Sequence, residues 1–377
     1  MTTGASTRLS KHRARVRIGV VGAGWWATEF HIPALLDSPA AELVAIAEPD
    51  ENRRGAAATH FDLPRAYDNI EALLENETLD AVIVATPSAS HFELARRALG
   101  AGLHVLVEKP MALRAAHAWE LVQLAEHARL HLSVGYTYQH TGAAKRIREV
   151  ITSGQIGNLI NVASLFSSSI EAYLRGTPDD YRSQRTFRLA TPRPATYASL
   201  LEGGGQAYAQ STHIAGMICW VTGLRARSVF AYLNREGLEV DVALSAVVRF
   251  ENGATGTLAS IGTIPYGQPK QQTICYYGSE GYAIQDLVAG SVEVQRADGR
   301  SEIVAADGPY GAYPQRAPAL HFCDLITGAA TTNLADSRSA AKAVEIVEAI
   351  HLSAEQGCPI AVPPPPDPNK SFLAPTP

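Results

Sequence analysis

The stretch that decides the fold is VRIGVVGAGWWA, residues 16–27. Its first six residues form an apolar, β-branched run typical of a buried strand. The strand leads directly into Gly22-Ala23-Gly24-Trp25-Trp26-Ala27. This G-x-G-x-x-A pattern predicts a tight turn into a helix, with backbone N–H groups that approach a pyrophosphate closely. A second strand pattern ends at Glu48, whose carboxylate suits ribose hydroxyls. The residues therefore predict a dinucleotide-binding unit at the start of the chain.

The acidic residue also bears on which dinucleotide is bound. A carboxylate at Glu48 accepts hydrogen bonds from ribose hydroxyls and repels a 2′-phosphate, so the sequence favours NAD. Arg53 and Arg54 follow closely in the sequence and keep NADP open as the alternative.

The spacing of apolar residues follows one pattern in the first part of the chain and another after it. Up to about Val134, short apolar runs alternate with longer amphipathic stretches, which indicates a parallel sheet with helices on both faces. The strand candidates there are residues 16–21, 42–47, 80–85, 104–108 and 130–134. After Gly135, strand-like runs follow one another closely and predict a mainly antiparallel, open sheet. The candidates there are residues 159–166, 228–233, 240–250, 255–261 and 273–277.

The predicted fold is an α/β Rossmann domain joined to an α+β domain. We place a disordered start at residues 1–15, the dinucleotide-binding domain at 16–140, a substrate and oligomerisation domain at 141–362, and a proline-rich tail at 363–377. Residues 171–194 are charged, carry three prolines and predict a long functional loop. Late helices are predicted at residues 318–327 and 337–356.

Composition narrows the class of protein. A chain of 377 residues exceeds what one hydrophobic core serves, so two domains are expected. A net charge of −5 without a long basic cluster argues against a nucleic-acid partner. The apolar run at residues 16–21 is too short for a signal sequence or a membrane span, which indicates a cytoplasmic protein with no membrane partner. The four cysteines form no C-x-x-C pair, and no metal site is predicted.

Three further segments carry a family resemblance. They are HIPAL at residues 31–35, ATPSASHFELARRALGAGLHVLVEKPMA at 85–112, and GGGQAYAQSTH at 203–213. With the glycine turn, these segments resemble the glucose-fructose oxidoreductase and inositol dehydrogenase (Gfo/Idh/MocA) family. The resemblance implies a dehydrogenase that holds NAD in its Rossmann domain and pairs the open faces of its second sheet in a homodimer or homotetramer. Residues 240–250 and 255–261 supply that face.

The resemblance also implies roles for individual residues. Lys109, in the Glu-Lys-Pro motif, lies beside the nicotinamide and the reacting hydroxyl, and Pro110 follows a cis peptide. His213 contacts the same hydroxyl as acid or base, and an unperturbed imidazole suits that work. Dinucleotide contacts are expected from further positions, namely Gly22, Ala23, Gly24, Trp25, Trp26, Glu48, Thr86, Pro87, His91, Glu108 and Lys109.

One position departs from the family pattern. The aspartate that the family has four residues before the histidine is Ala209 here. Substitutes are to be sought among Tyr208 and Gln210 beside it, or Asp179, Asp180 and Tyr181 of the long loop. Tyr138 and His140, after the last Rossmann strand, are further candidates for substrate hydroxyls, with packing at a domain junction as the alternative.

The leading functional hypothesis is a dehydrogenase acting on a secondary hydroxyl of a sugar, glycoside, anhydrosugar or cyclitol. A second hypothesis keeps the fold but uses NAD transiently to cleave a glycoside, with no net NADH. The third is a dinucleotide-binding sensor without catalysis, which Ala209 motivates and which the presence of both Lys109 and His213 disfavours.

Overall fold

The computed structural model describes residues 15–184, 186–306 and 312–366, without the side chains of Pro178, Tyr181 and Gln184. Most of the predicted start and tail lies outside these ranges, as does the side chain of Tyr181. The described chain builds two sheets with helices packed on them.

The first sheet is the predicted parallel sheet. Its six strands lie in the order β3-β2-β1-β4-β5-β6, and every neighbouring pair is parallel. The strands are β1 (Val16–Val21), β2 (Ala41–Ala47), β3 (Ala66–Tyr67), β4 (Ala81–Val84), β5 (His104–Val107) and β6 (Leu132–Val134). The helices are α1 (Ile32–Asp37), α2 (Glu51–His60), α3 (Ile70–Asn76), α4 (His91–Gly100) and α5 (Ala115–Ala128). The order places the β1–α1 turn at the centre of the sheet, at the point where the strand order reverses and where open parallel sheets bind ligands.

The second sheet has nine strands in the order β14-β13-β12-β11-β7-β10-β9-β8-β15. All neighbours are antiparallel except β7 and β10. The strands are β7 (Leu159–Ser167), β8 (Ala226–Asn234), β9 (Ala243–Phe250), β10 (Thr255–Ile261), β11 (Gln272–Gly278), β12 (Gly281–Asp286), β13 (Ser291–Arg296), β14 (Ser301–Val304) and β15 (Ile360–Ala361). The mainly antiparallel sheet is confirmed. The sequence analysis missed β3, β12, β13, β14 and β15, which are short or rich in polar residues.

Seven further helices follow β6 in the described ranges. They are α6 (Gly142–Thr152), α7 (Glu171–Leu174), α8 (Pro178–Gln184), α9 (Ala195–Ala198), α10 (Thr212–Thr222), α11 (Ala317–Thr327) and α12 (Ser337–Gln356). The segment predicted as a loop at residues 171–194 thus contains two short helices. The two late helices match their predicted positions closely.

Helix α12 ties the two sheets together. It begins at Asp336, whose side chain accepts a hydrogen bond from the Ser339 N–H, and it packs against both α5 and β8. The buried Glu345 accepts hydrogen bonds from the guanidinium of Arg225 and from the indole N–H of Trp119. Because charges are buried only when paired, this cluster fixes the orientation of the helix between the domains. None of the helices in the described ranges is long and apolar enough to cross a membrane.

Candidate functional site

A cavity of about 1270 Å³ lies between the carboxyl ends of the parallel strands and the second sheet. Cavities between domains are the usual place for small-molecule sites. Most of the predicted site residues line it: Gly22, Gly24, Trp25, Trp26, Glu48, Thr86, Pro87, His91, Glu108, Lys109, Tyr138, Gln210 and His213.

The glycine turn lies directly against the end of β4. Gly22 has φ +100°, and a Cβ atom there would meet the carbonyl oxygen of Ala85 at 2.5 Å. Only glycine fits this position, because both its backbone conformation and the close approach exclude a side chain. The turn therefore has the shape that a pyrophosphate needs, and the residues present fit a dinucleotide.

Glu48 is buried at the end of β2 and its carboxylate is shared by several donors. Oε2 accepts a hydrogen bond of 2.9 Å from the backbone N–H of Ala23, and Oε1 accepts one of 3.1 Å from that of Asp50. Arg193, from the segment before α9, forms an ion pair of 3.2 Å with Oε1. Ala23 thus contributes its backbone N–H as a hydrogen-bond donor to Glu48, and it is not part of the cavity lining.

His91 lines the cavity, and its ring is packed against two backbone carbonyl oxygens. Its side chain is buried, with Nδ1 at 2.7 Å from the Pro110 carbonyl oxygen and Nε2 at 2.8 Å from the Thr86 carbonyl oxygen. Because both ring nitrogens are engaged, the imidazole holds the loop after β4 against the Glu-Lys-Pro segment. His91 therefore positions the cavity wall, and its contact with a dinucleotide stays a prediction.

Glu108 and His31 form a buried pair beneath the cavity. The Nε2 atom of His31 lies 2.9 Å from Oε1 of Glu108, and Oε2 of Glu108 accepts the N–H of Lys109 at 3.2 Å. Burial acts to raise the pKa of Glu108, but His31 and Lys109 together bring this pKa below its usual range. Gly135 packs directly over this carboxylate, where a Cβ atom would meet Oε1 at 2.3 Å.

Lys109 follows β5 and precedes the predicted cis peptide at Pro110, which is confirmed. Its Nζ atom donates a hydrogen bond of 2.9 Å to the backbone carbonyl oxygen of Ala209. Burial lowers the pKa of Lys109, and the charge of Glu108 acts in the opposite direction. A backbone oxygen thus contacts the ammonium at the position where the family pattern has a carboxylate.

His213 lies in the first turn of α10, next to the wide π-helical turn at Ala207–Ser211. Its ring is buried beside those of Tyr138 and Phe166, at centroid distances of 5.6 and 6.1 Å. Burial, and then the positive charge of Lys109, lowers the pKa of His213 well below its usual value. No hydrogen-bond partner for Nδ1 occurs among the described residues, so the imidazole is not committed to another protein group.

Asp241 and the glycines before His213 set the position of this turn. The Asp241 side chain accepts the N–H of Ala207 at 2.8 Å, and its backbone oxygen accepts the N–H of Gln206. Gly205 has φ +95° and packs against the carboxylate, where a Cβ atom would meet Oδ1 at 2.2 Å. Burial raises the pKa of Asp241 to about 6. The triple glycine thus serves close packing at the start of the turn.

Two predicted substrate contacts lie away from the cavity. Tyr208 stacks on His351 of α12 at 4.5 Å, and its hydroxyl donates to the Leu113 carbonyl oxygen. His140 packs against His321 of α11, at 5.2 Å between ring centroids. Both side chains therefore pack between elements and are not part of the cavity lining. Tyr138 does border the cavity, but its hydroxyl already donates to Oε1 of Gln272 at 2.8 Å.

The structure adds residues that the sequence analysis missed. Arg193, Tyr313, Phe166 and Gln272 all line the cavity. They come from different segments after β6 and belong to no recognisable spacing. The one available signal was the long predicted loop, which ends next to Arg193.

A Rossmann sheet with this turn, a buried lysine after β5 and a second sheet across the cavity define a nicotinamide-dinucleotide-binding protein. Residues 16–136 match the family described as "Oxidoreductase family, NAD-binding Rossmann fold", and residues 144–284 match "GFO/IDH/MocA C-terminal domain". The chain belongs to the Gfo/Idh/MocA family.

Two of the relatives share 30% or less of their residues with this chain over the matched regions. A 1-carboxy-3-chloro-3,4-dihydroxycyclohexa-1,5-diene dehydrogenase of Comamonas testosteroni is 30% identical over 67% of this chain and 59% of its own length. A 1,5-anhydro-D-fructose reductase of Ensifer adhaerens is 27% identical over 76% of this chain and 82% of its own. The match thus spans less than two thirds of the first relative. The WlbA dehydrogenase from Chromobacterium violaceum, solved with NADH and UDP-GlcNAcA, has a TM-score of 0.74 at 23% identity, over 94% of this chain and 97% of its own, and shares the fold.

Proposed function

We propose that this protein is an NAD(P)-dependent oxidoreductase that acts on a secondary hydroxyl of a sugar, glycoside, anhydrosugar or cyclitol. The observation that carries the proposal is the placement of Lys109 and His213 on the wall of the same cavity as the dinucleotide turn. The relatives named for a dihydroxycyclohexadiene and for anhydrofructose support a cyclic polyol as the substrate class.

A bound nicotinamide would supply the hydride chemistry of the reaction, which is exchange of a hydride with the carbinol carbon. The protein's part is to handle the proton and the charge on oxygen. His213 is neutral at physiological pH because its pKa is lowered, so it can take the hydroxyl proton. The Lys109 ammonium, oriented by the Ala209 carbonyl, stabilises the negative charge that develops on that oxygen. The aromatic rings of Tyr138 and Phe166 bury the imidazole of His213 at this part of the cavity.

The direct test measures the absorbance of reduced nicotinamide. The purified protein is mixed with NAD or NADP and, in turn, with each compound of a panel of sugars, glycosides, anhydrosugars and inositols. We expect reduction that depends on one subset of the panel and that is lost in Lys109→Ala. Lys145→Ala, an exposed lysine on α6, is the matched control and should keep the activity. Tight dinucleotide binding without net reduction by any compound would overturn the proposal in favour of transient redox use or sensing.

A further inference from the structure

The segment at residues 186–194 crosses from the second domain onto the Rossmann domain, and we name it the strap. The ring of Phe187 packs edge-on against Trp25 of the glycine turn, at 6.0 Å between centroids. The backbone N–H of Arg188 donates to Oε1 of Glu29 at 2.5 Å. Further along, Arg53 of α2 donates to the carbonyl oxygen of Thr191 at 3.2 Å. The strap is thus tied to the Rossmann domain at both of its ends.

Arg193 is the charged residue that the strap brings to the end of β2. Its Nη2 atom pairs with Oε1 of Glu48, although the two residues are 145 positions apart. The Glu48 side chain is 6% exposed, whereas that of Arg193 is 42% exposed and lines the cavity. The guanidinium therefore has donors left for a further acceptor beside the buried carboxylate.

The charge balance at this point decides which dinucleotide the cavity accepts. Glu48 alone would favour the ribose hydroxyls of NAD and repel the 2′-phosphate of NADP. Arg193 offsets that negative charge, and a guanidinium binds phosphate through paired, charge-assisted hydrogen bonds. Arg53 also lines the cavity and adds a second positive charge there.

We propose that Arg193 is a cofactor-specificity residue, which lets the site bind the 2′-phosphomonoester of NADP in addition to the diol of NAD. The inference rests on dinucleotide binding, which the fold supports, and is independent of the substrate and of redox turnover. Arg193 belongs to the second domain. The preference between NAD and NADP therefore depends on this residue as well as on the Rossmann residues.

The test measures equilibrium dissociation constants of NAD and NADP by calorimetry, without any substrate. We expect the unaltered protein to bind both dinucleotides. Arg193→Gln should weaken NADP binding about tenfold or more, the loss of a charge-assisted contact, while NAD binding changes by less than about threefold. Glu48→Ser should act in the opposite sense, weakening NAD and strengthening NADP. Arg182→Gln, which changes an exposed arginine of α8, is the control for general effects on the strap.

Two outcomes would overturn the inference. Equal weakening of NAD and NADP in Arg193→Gln would show that the residue only anchors the strap. Absence of NADP binding by the unaltered protein would show that Arg193 forms the ion pair with Glu48 and does not bind a phosphate. Because no substrate is present, neither outcome depends on whether the proposed dehydrogenase reaction is correct.

Discussion

The ammonium of Lys109 donates a 2.9 Å hydrogen bond to the backbone carbonyl oxygen of Ala209, 100 residues further along the chain. The contact joins the carboxyl end of β5 to the π-helical turn before His213. A carbonyl oxygen is a neutral acceptor, so it orients the ammonium without adding a negative charge at the reacting carbon. In the proposed reaction this lysine would stabilise an alkoxide, although alanine stands at the acidic position of the family pattern.

Lys109→Ala and His213→Ala should each lower kcat by about 10²–10⁴, because each removes a group that handles charge or the proton in the transition state. Neither side chain is needed for the pyrophosphate turn, so the dissociation constant of NAD should remain nearly unchanged. Steady-state kinetics together with calorimetry separates the two effects. Near-normal turnover in either variant would remove that residue from the reaction.

The pH dependence of oxidation follows from two lowered pKa values. The reaction needs neutral His213 and protonated Lys109, and the pKa of each is below its usual value because the group is buried. Activity should therefore rise through an acid limb below about 6.5 and fall through an alkaline limb below about 10.5, the ordinary values of these groups. The profile of kcat/KM reports the free enzyme. An acid limb above the ordinary imidazole value would contradict this assignment.

Gly22→Ala should destabilise the fold by about 1–3 kcal/mol, the range for a residue forced into a strained backbone conformation. It should also abolish dinucleotide binding, because the new methyl group requires the turn to move away from Ala85. Gly55→Ala on α2 is the matched control, since a Cβ atom there has nothing within 4 Å. Urea unfolding should show the control to be as stable as the parent protein or more so. Equal behaviour of the two variants would show that the turn tolerates a side chain.

Removal of the buried partner of Glu108 should be costly. His31→Leu leaves the carboxylate without its main contact, and such losses destabilise proteins by about 3–5 kcal/mol. His127→Leu, at an exposed position of α5, serves as the control. The stabilisation from Glu108, whose pKa is lowered, is present above its unfolded-state pKa and is lost as the pH falls through the folded-state value. Urea unfolding at neutral pH measures the difference, and similar stabilities of the two variants would contradict the role of the pair.

The open face of the second sheet should join copies of the chain. Residues on β8, β9 and β10 alternate between buried and outward positions, and the outward side includes Tyr232 and Val247, which are 69% and 53% exposed. We predict a dimer or tetramer at micromolar concentration that Val247→Arg converts to monomers, because the arginine would bury a charge in the interface. Leu36→Arg, at an exposed position of the otherwise largely buried α1, is the control. Light scattering that shows only monomer for the parent protein would refute this prediction.

The local pattern of residues was sufficient for much of this molecule. The β1 turn, five of the six parallel strands, the late helices predicted at 318–327 and 337–356, and the placement of Lys109 after β5 follow from short stretches of sequence. These features depend on hydrophobic period, glycine and strand ends, which are local properties. Strands β12 to β14 escaped prediction because their polar residues alternate over only four to six positions.

Only the tertiary structure determined the contacts between segments that are distant in the chain. No spacing rule leads from Glu48 to Arg193 or from Lys109 to the carbonyl of Ala209. Nor does one show that Tyr208 and His140 point towards α12 and α11 instead of the cavity. Those outcomes depend on how helices pack against the two sheets, and that packing is settled by the whole core and not by neighbours along the chain.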